Sequence, residues 1–234
     1  MLAVFKRELQ SYFYSPVAYV LMGFFILMSS IFFLGNLFGR IAEFNSNLSQ
    51  MSILLLIILP ILTMRTISED RRNGSEVMLI TSPVSLTGIV LGKYLAAFCV
   101  FMVMVVLTLA YQVVILSFGS LAVGQLIGGY IGFILLGSAF LAVGLFTSSL
   151  FESQILAAIT GIVSLTVMLI MKYISGFVGG LIAQILDWFS LLSRYNDFNR
   201  GILDLSAIVY YLSFIAVFIF LTIRVIDKRR WSQG

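Results

Sequence analysis

The chain has no histidine, one cysteine, three prolines and few charges, with Asp, Glu, Lys and Arg together making up 10% of its 234 residues. Without histidine it lacks the commonest catalytic base, the commonest transition-metal ligand and the usual physiological pH switch. The lone thiol, Cys99, excludes a disulfide within the chain and any cysteine cluster for a metal. No Gly-x-x-x-x-Gly-Lys-Ser/Thr stretch occurs, so there is no P-loop to cradle the phosphates of a nucleotide. The middles of the long apolar runs hold no Asp, Glu, Lys or Arg. Ion-coupled carriers keep such groups despite a cost of about 2.5 to 3.5 kcal/mol each at the bilayer centre. Their absence, with no internal repeat, argues against the alternative of an ion-coupled carrier or channel. An intramembrane enzyme would be left with an unusual serine chemistry. A non-transporting membrane scaffold shares the composition and stays open.

What the chain does have is hydrocarbon. At 61% hydrophobic residues and a mean hydropathy of +1.10, it reads as an all-α polytopic membrane protein with no room for a sizeable soluble domain. Six transmembrane spans are predicted, at 17–38, 48–64, 94–118, 125–149, 153–174 and 207–226, in a single domain covering 1–234. Pro16 suits the start of the first span, and Pro60 predicts a kink near the end of the second. Arg40, Glu43 and Asn45 mark a short external loop, and Asn47-Leu48-Ser49 has the form of a glycosylation sequon. In span four, Gly128 with Gly132 and Ser138 with Ala142 are spaced for close helix packing, more within the chain than between subunits. Ser29, Ser30, Thr108, Gln112, Ser138, Thr160, Ser164 and Thr166 are the polar groups inside the spans, and their default partner is their own helix backbone. Between spans five and six, Leu181, Ile182, Ile185, Leu186, Phe189 and Leu192 give an apolar side to external re-entrant or amphipathic helices.

Residues 1–15 place Leu2, Phe5, Leu9, Tyr12 and Phe13 at helical spacing, with Lys6 and Arg7 on other faces, which predicts an interfacial helix. The rival reading, the start of a secretory signal, needs a shorter apolar run and a cleavage site that is not evident. The net charge of +4 is grouped at the ends of apolar runs, which speaks for membrane orientation and contact with lipid, and against a nucleic-acid partner. Of the 14 basic residues, all but Arg40, Lys172, Arg194 and Arg200 fall on the side of the two termini, so both termini are expected to be cytoplasmic. The turn at Glu152 is the exception, carrying no basic residue.

The one strongly charged interior segment is 65–84. Glu69 to Arg72 favour a short helix that Asn73-Gly74 closes. Ser75 and Glu76 suit the start of a second turn, and Val77, Met78, Leu79 and Ile80 form an apolar surface ended by Pro83. Two readings stand: a docking element for a soluble partner, or a solvated loop that fixes topology and touches anionic lipid.

The order of Lys6-Arg7-Glu8-Leu9, Tyr12-Phe13-x-Ser15-Pro16, Pro60-x-Leu62-Thr63-Met64-Arg65, Glu69-Asp70-x-x-x-Gly74-Ser75-Glu76, Thr81-Ser82-Pro83-Val84 and Leu91-Gly92-Lys93 resembles the ABC-2 class of ATP-binding-cassette transporter permeases. Within that class it looks most like the gliding-motility-associated branch. The likeness continues through Gly144-Leu145-Phe146-x-Ser148-Ser149-Leu150, Phe198-x-Arg200-Gly201 and Tyr210-Tyr211-Leu212. Asp70 and Ser75 stand where Glu and Thr are frequent. The resemblance implies a six-span, non-enzymatic permease subunit of an exporter in a bacterial inner membrane. It implies a second permease copy or a related one, and separate ABC ATPase subunits that carry the ATP and Mg. It also implies a coupling helix over about 66–80. The residues expected to meet the ATPase are Glu69, Asp70, Arg71, Arg72, Gly74, Glu76, Val77, Met78 and Leu79, with Phe5, Lys6, Arg7, Leu9 and Phe13 on the interfacial helix nearby.

Overall fold

A computed structural model of the chain describes residues 1–39, 44–75, 85–118, 123–175, 180, 190–202 and 204–232. Every regular element among them is helical: α1 Leu2–Tyr14, α2 Pro16–Phe38, α3 Phe44–Arg72, α4 Leu86–Thr108, α5 Ala110–Phe118, α6 Val123–Leu150, α7 Gln154–Ser175, α8 Leu191–Asn199 and α9 Leu205–Ser232. Six stretches are long and apolar enough to cross a membrane: Pro16–Phe38, Asn45–Arg72, Leu86–Ile115, Gly124–Leu150, Gln154–Met171 and Leu205–Arg229. The protein is an all-α, six-span membrane protein.

Local chemistry sets the helix starts. Ser15 leaves the helical region at φ −90°, ψ 132°, and its hydroxyl accepts from Val17 N, so Pro16 opens α2 with no backbone donor wasted. Ser85 accepts from Gly88 N and opens α4 at Leu86, ahead of the start predicted for span three at residue 94. Span three then changes pitch at Leu109, where Leu109 N bonds Val106 O and Gln112 N bonds Leu109 O, a tightened i→i−3 pattern that separates α4 from α5.

The central helix is α6, packed against α3, α4, α7, α8 and α9. Its glycines explain how so many neighbours fit around it. A Cβ on Gly132 would overlap the Phe198 side chain, one on Gly137 the Phe101 ring, and one on Gly144 the Thr63 hydroxyl. The small residues of span four serve packing within the chain. Most of the polar groups within the spans also do as expected: Ser30, Ser138, Thr160 and Ser164 each bond the carbonyl four residues back, and Thr108 the one three back.

Three expectations are corrected. The second span does not stop near residue 64: α3 runs through Pro60 to Arg72, so the predicted short helix at 69–72 and the first part of the expected coupling helix continue it. Asn45 is no loop residue. It is buried at the start of α3, where its Nδ2 donates to Gln125 O and Asn199 O at 2.9 and 2.7 Å. The sequon Asn47 also lies inside α3, 1% exposed, which bars a glycan there. Of the predicted external helices, α8 is described and buries Leu191, Leu192, Tyr195 and Phe198, whereas 181–189 lie outside the described residues.

The closest packing makes a direct prediction. Gly132→Ala places its methyl against the first carbon of the Phe198 side chain, which cannot swing away, and is expected to cost about 1 to 3 kcal/mol. Gly35→Ala, with nothing within 4 Å of the new carbon, should leave thermal unfolding of the detergent-solubilised protein unchanged or slightly raised. Equal melting curves for both variants would contradict this packing.

Candidate functional site: the charged end of the bundle

The charged residues of α1, of the end of α3, of α4, of the α6–α7 turn and of α9 meet at one end of the bundle. At their centre is Lys93 on α4, its side chain only 3% exposed. Its Nζ pairs with Glu8 Oε1 of α1 at 2.9 Å, pairs with Asp70 Oδ2 of α3, and donates to Thr66 O. Arg7 joins from α1, 2.8 Å from Glu8 and 3.5 Å from Asp70. The bond to Glu8 holds the Arg7 guanidinium above its ordinary pKa.

The helix α1 is seated by shape as well as charge. Gly92 brings α4 so close that an added Cβ would lie 3.2 Å from Met1 O and Phe5 N. Val4 and Tyr12 are buried, and the Tyr12 hydroxyl donates to Leu62 O of α3 at 3.0 Å. Burial pushes that phenol well above the ordinary tyrosine value, so it stays a neutral donor. A second pair lies beside it: Arg65 Nε bonds Glu69 Oε2 at 2.9 Å, and the same guanidinium reaches the Ser15 hydroxyl between α1 and α2.

Below this layer α6 reaches into the backbone of α3. The Ser148 hydroxyl, fully buried, accepts from Ile67 N and Ser68 N at 3.2 Å each and donates to Met64 O at 3.0 Å. Thr63 Oγ1 bonds Leu59 O and Pro60 O, and the Thr66 and Ser68 hydroxyls bond Thr63 O and Met64 O. The α3 turns after Pro60 therefore carry side-chain partners in addition to their own ladder.

Each residue predicted from sequence has a place here, or lies outside the description. Glu69 pairs with Arg65, and Asp70 with Lys93 and Arg7. Arg71 bonds Glu152 Oε1 at 2.7 Å and Leu150 O at 3.3 Å, which supplies the α6–α7 turn with the basic partner its own sequence lacks. Arg72 is exposed. Gly74 takes the left-handed conformation at φ 69° that ends α3, and the Ser75 hydroxyl turns back to Asp70. Glu76, Val77, Met78 and Leu79 lie outside the described residues. On α1, Phe5 and Leu9 pack on the core, Lys6 and Arg7 face outward, and Phe13 meets Tyr19 edge to face at 6.3 Å. Sequence reasoning missed the roles of Glu8, Lys93 and Ser148. Glu8 and Lys93 are 85 residues apart and share no local pattern; the one hint is a lysine a full turn inside an apolar helix.

Six spans and an ion-paired end built from α1, α3 and α4 define an all-α polytopic membrane protein. Residues 43–226 match the family described as ABC-2 family transporter protein, and the chain belongs to that family. It is thus a permease subunit of an ABC transporter. The match covers the family as a whole and singles out no branch. No curated protein matches the chain.

Two outcomes follow from this geometry. Lys93→Met leaves Glu8 and Asp70 facing each other with little water, and is expected to cost about 3 to 5 kcal/mol. Adding Glu8→Gln and Asp70→Asn should recover part of that loss in denaturation of the purified protein, and failure to recover any would speak against the pairing. Ser148→Ala should cost about 1 kcal/mol and quicken hydrogen exchange over 64–70 relative to the rest of α3. Unchanged exchange there would mean the hydroxyl does not hold that turn.

Proposed function

We propose that this permease exports an apolar or amphipathic cargo and is driven from its charged end by a separate ATP-hydrolysing subunit. The charged end then faces the cytoplasm of a bacterial inner membrane, with both chain termini on that side, and a second permease copy or a related one completes the path. The observation that carries this reading is the junction at Asp70. Asp70, in the last turn of α3 ahead of 76–84, is ion-paired to α4 and α1, so a push on that segment reaches three helices at once. The chain has no P-loop of its own, which supports a reading in which the partner carries ATP and Mg.

In this mechanism closure of the ATPase pair presses on 66–80, α3 tilts, and α1 and α4 follow through Lys93 and Glu8. Val77, Met78 and Leu79 each bury apolar surface in the partner, at about 1.5 to 3 kcal/mol per side chain. Arg72 and Glu76 fix register for a smaller net gain. The exposed Arg72, which makes no ion pair among the described residues, and the sharp turn at Gly74 support this assignment.

The test is purification from the native membrane. A nucleotide-hydrolysing subunit should accompany the chain, and Arg72→Glu or Met78→Asp should reduce its recovery several-fold without lowering the amount of folded permease. A chain that purifies alone and moves cargo without ATP would sink the reading.

A further inference from the structure

The helix α9 packs inward through Ala207, Tyr211, Ile215, Thr222 and Ile226. Its opposite stripe faces lipid with Val209, Leu212, Val217 and Phe220, then ends in two exposed cations, Arg224 and Lys228. Their depth can be read from a shared landmark. Arg71 on α3 and Arg229 on α9 both donate to Leu150 O at 3.3 Å, so those two positions stand level. Both helices run toward the charged end. At about 1.5 Å of rise per residue, Arg65 lies about 9 Å and Arg224 about 7.5 Å nearer the bilayer centre than that landmark.

Arg224 is therefore level with the innermost ion pair of the charged layer, but its own circumstances differ. Arg65 has Glu69 and Ser15. Arg224 faces outward, its guanidinium 4.9 Å from the Phe220 ring, and among the described residues no carboxylate pairs with it; Asp227, one turn on, makes no ion pair to it. A cation at the edge of the hydrocarbon, resting on an aromatic ring and with no carboxylate partner among the described residues, is suited to an anion from its surroundings. Lys228 follows one turn further out on the same face, exposed and with no ion pair among the described residues. A planar guanidinium that can grip two oxygens and an ammonium one turn above it fit a phosphate diester approached from the side.

We propose that Arg224 and Lys228 form a seat for the phosphate of an anionic phospholipid in the leaflet at the charged end, with the acyl chains lying along Phe220 and Val217. The seat does not depend on a partner ATPase. It belongs to the outer wall of the permease and gives α9 a lipid ligand of defined headgroup chemistry.

Native mass spectrometry of the full chain, titrated in detergent with phosphatidylglycerol, tests it. The wild-type protein is expected to retain one phosphatidylglycerol more tightly than phosphatidylcholine. Arg224→Ala or Lys228→Ala should weaken that lipid about 5-fold, and the double variant about 30-fold. Arg224→Lys should fall between the wild type and Arg224→Ala, since charge remains and the two-point grip is lost. Arg72→Ala, which removes an exposed cation elsewhere at the same end, should leave lipid retention unchanged. Glycerol 3-phosphate, which carries a phosphate and no chains, should bind far more weakly than the lipid. Equal retention by the double variant, or an equal loss in Arg72→Ala, overturns the seat. Glycerol 3-phosphate binding as tightly as the lipid overturns its membrane source.

Discussion

The structure depends on one buried cation. Lys93 stands inside an apolar helix with its side chain almost wholly out of water, a position that is tolerable only with anions at hand. The two that neutralise it come from different elements, Glu8 from α1 and Asp70 from α3. Removing α1 or α3 takes away one of its two anions, and removing α4 leaves both carboxylates to Arg7 alone. For that reason α1, though amphipathic and outside the spans, is a structural part of the bundle and does not float on the surface. The same reasoning makes the junction stiff: a displaced α3 either carries the other two helices along or separates opposite charges where no water can replace them.

At the opposite end the packing depends on close approach. Asn45 bridges the starts of α3 and α6 and the end of α8, and Gly128, Gly129 and Gly132 let Phe198, Gly201 and Asn45 press onto α6. Lipid gives helices no hydrophobic reason to associate, so backbone proximity and hydrogen bonds have to do so. The two ends therefore differ in emphasis: close backbone approach and a bridging amide at one, a network of paired charges at the other. Movement driven by charge or by a partner's contact has its natural entry at the second.

The spans, their number and the use of the glycines in α6 were legible because each is written locally, in runs of apolar residues or in small residues at helical spacing. The turn at Gly74 was legible for the same reason. The length of α3 was not: Pro60 and the polar stretch from Arg65 both suggest a stop. The helix continues because Thr63 and Ser148 give the turns around the proline additional partners, and because Asp70 and Glu69 find cations on other helices and on their own. Asn45 and Asn47 misled in the opposite direction, since polar residues at the mouth of a span look like loop until a neighbouring backbone is seen to need them or a packed helix to bury them. The Lys93 site could not be read at all, because its members are far apart in sequence and each alone passes for a topology charge.

What Pro60 and Ser148 do to α3 bears on how a rigid helix can also be a moving one. A proline removes one ladder donor, and in a dry interior any further opened amide or carbonyl would cost several kcal/mol. Over 63–68 that cost is met in advance. The amides of Ile67 and Ser68 have the Ser148 oxygen within reach, and the carbonyls of Thr63 and Met64 already hold hydroxyl donors. Bending at this turn can lengthen ladder bonds without leaving their groups bare. Two residues beyond it, Asp70 is clamped to Lys93, and at its first residue, Thr63, Gly144 lies so close that no side chain fits between. A segment whose ladder groups already have second partners is where bending of α3 costs least. Load applied at the charged end would be taken up at residues 63–68 before it could disturb the packed half of α3, so the end of the helix can swing while its span stays in register with α6.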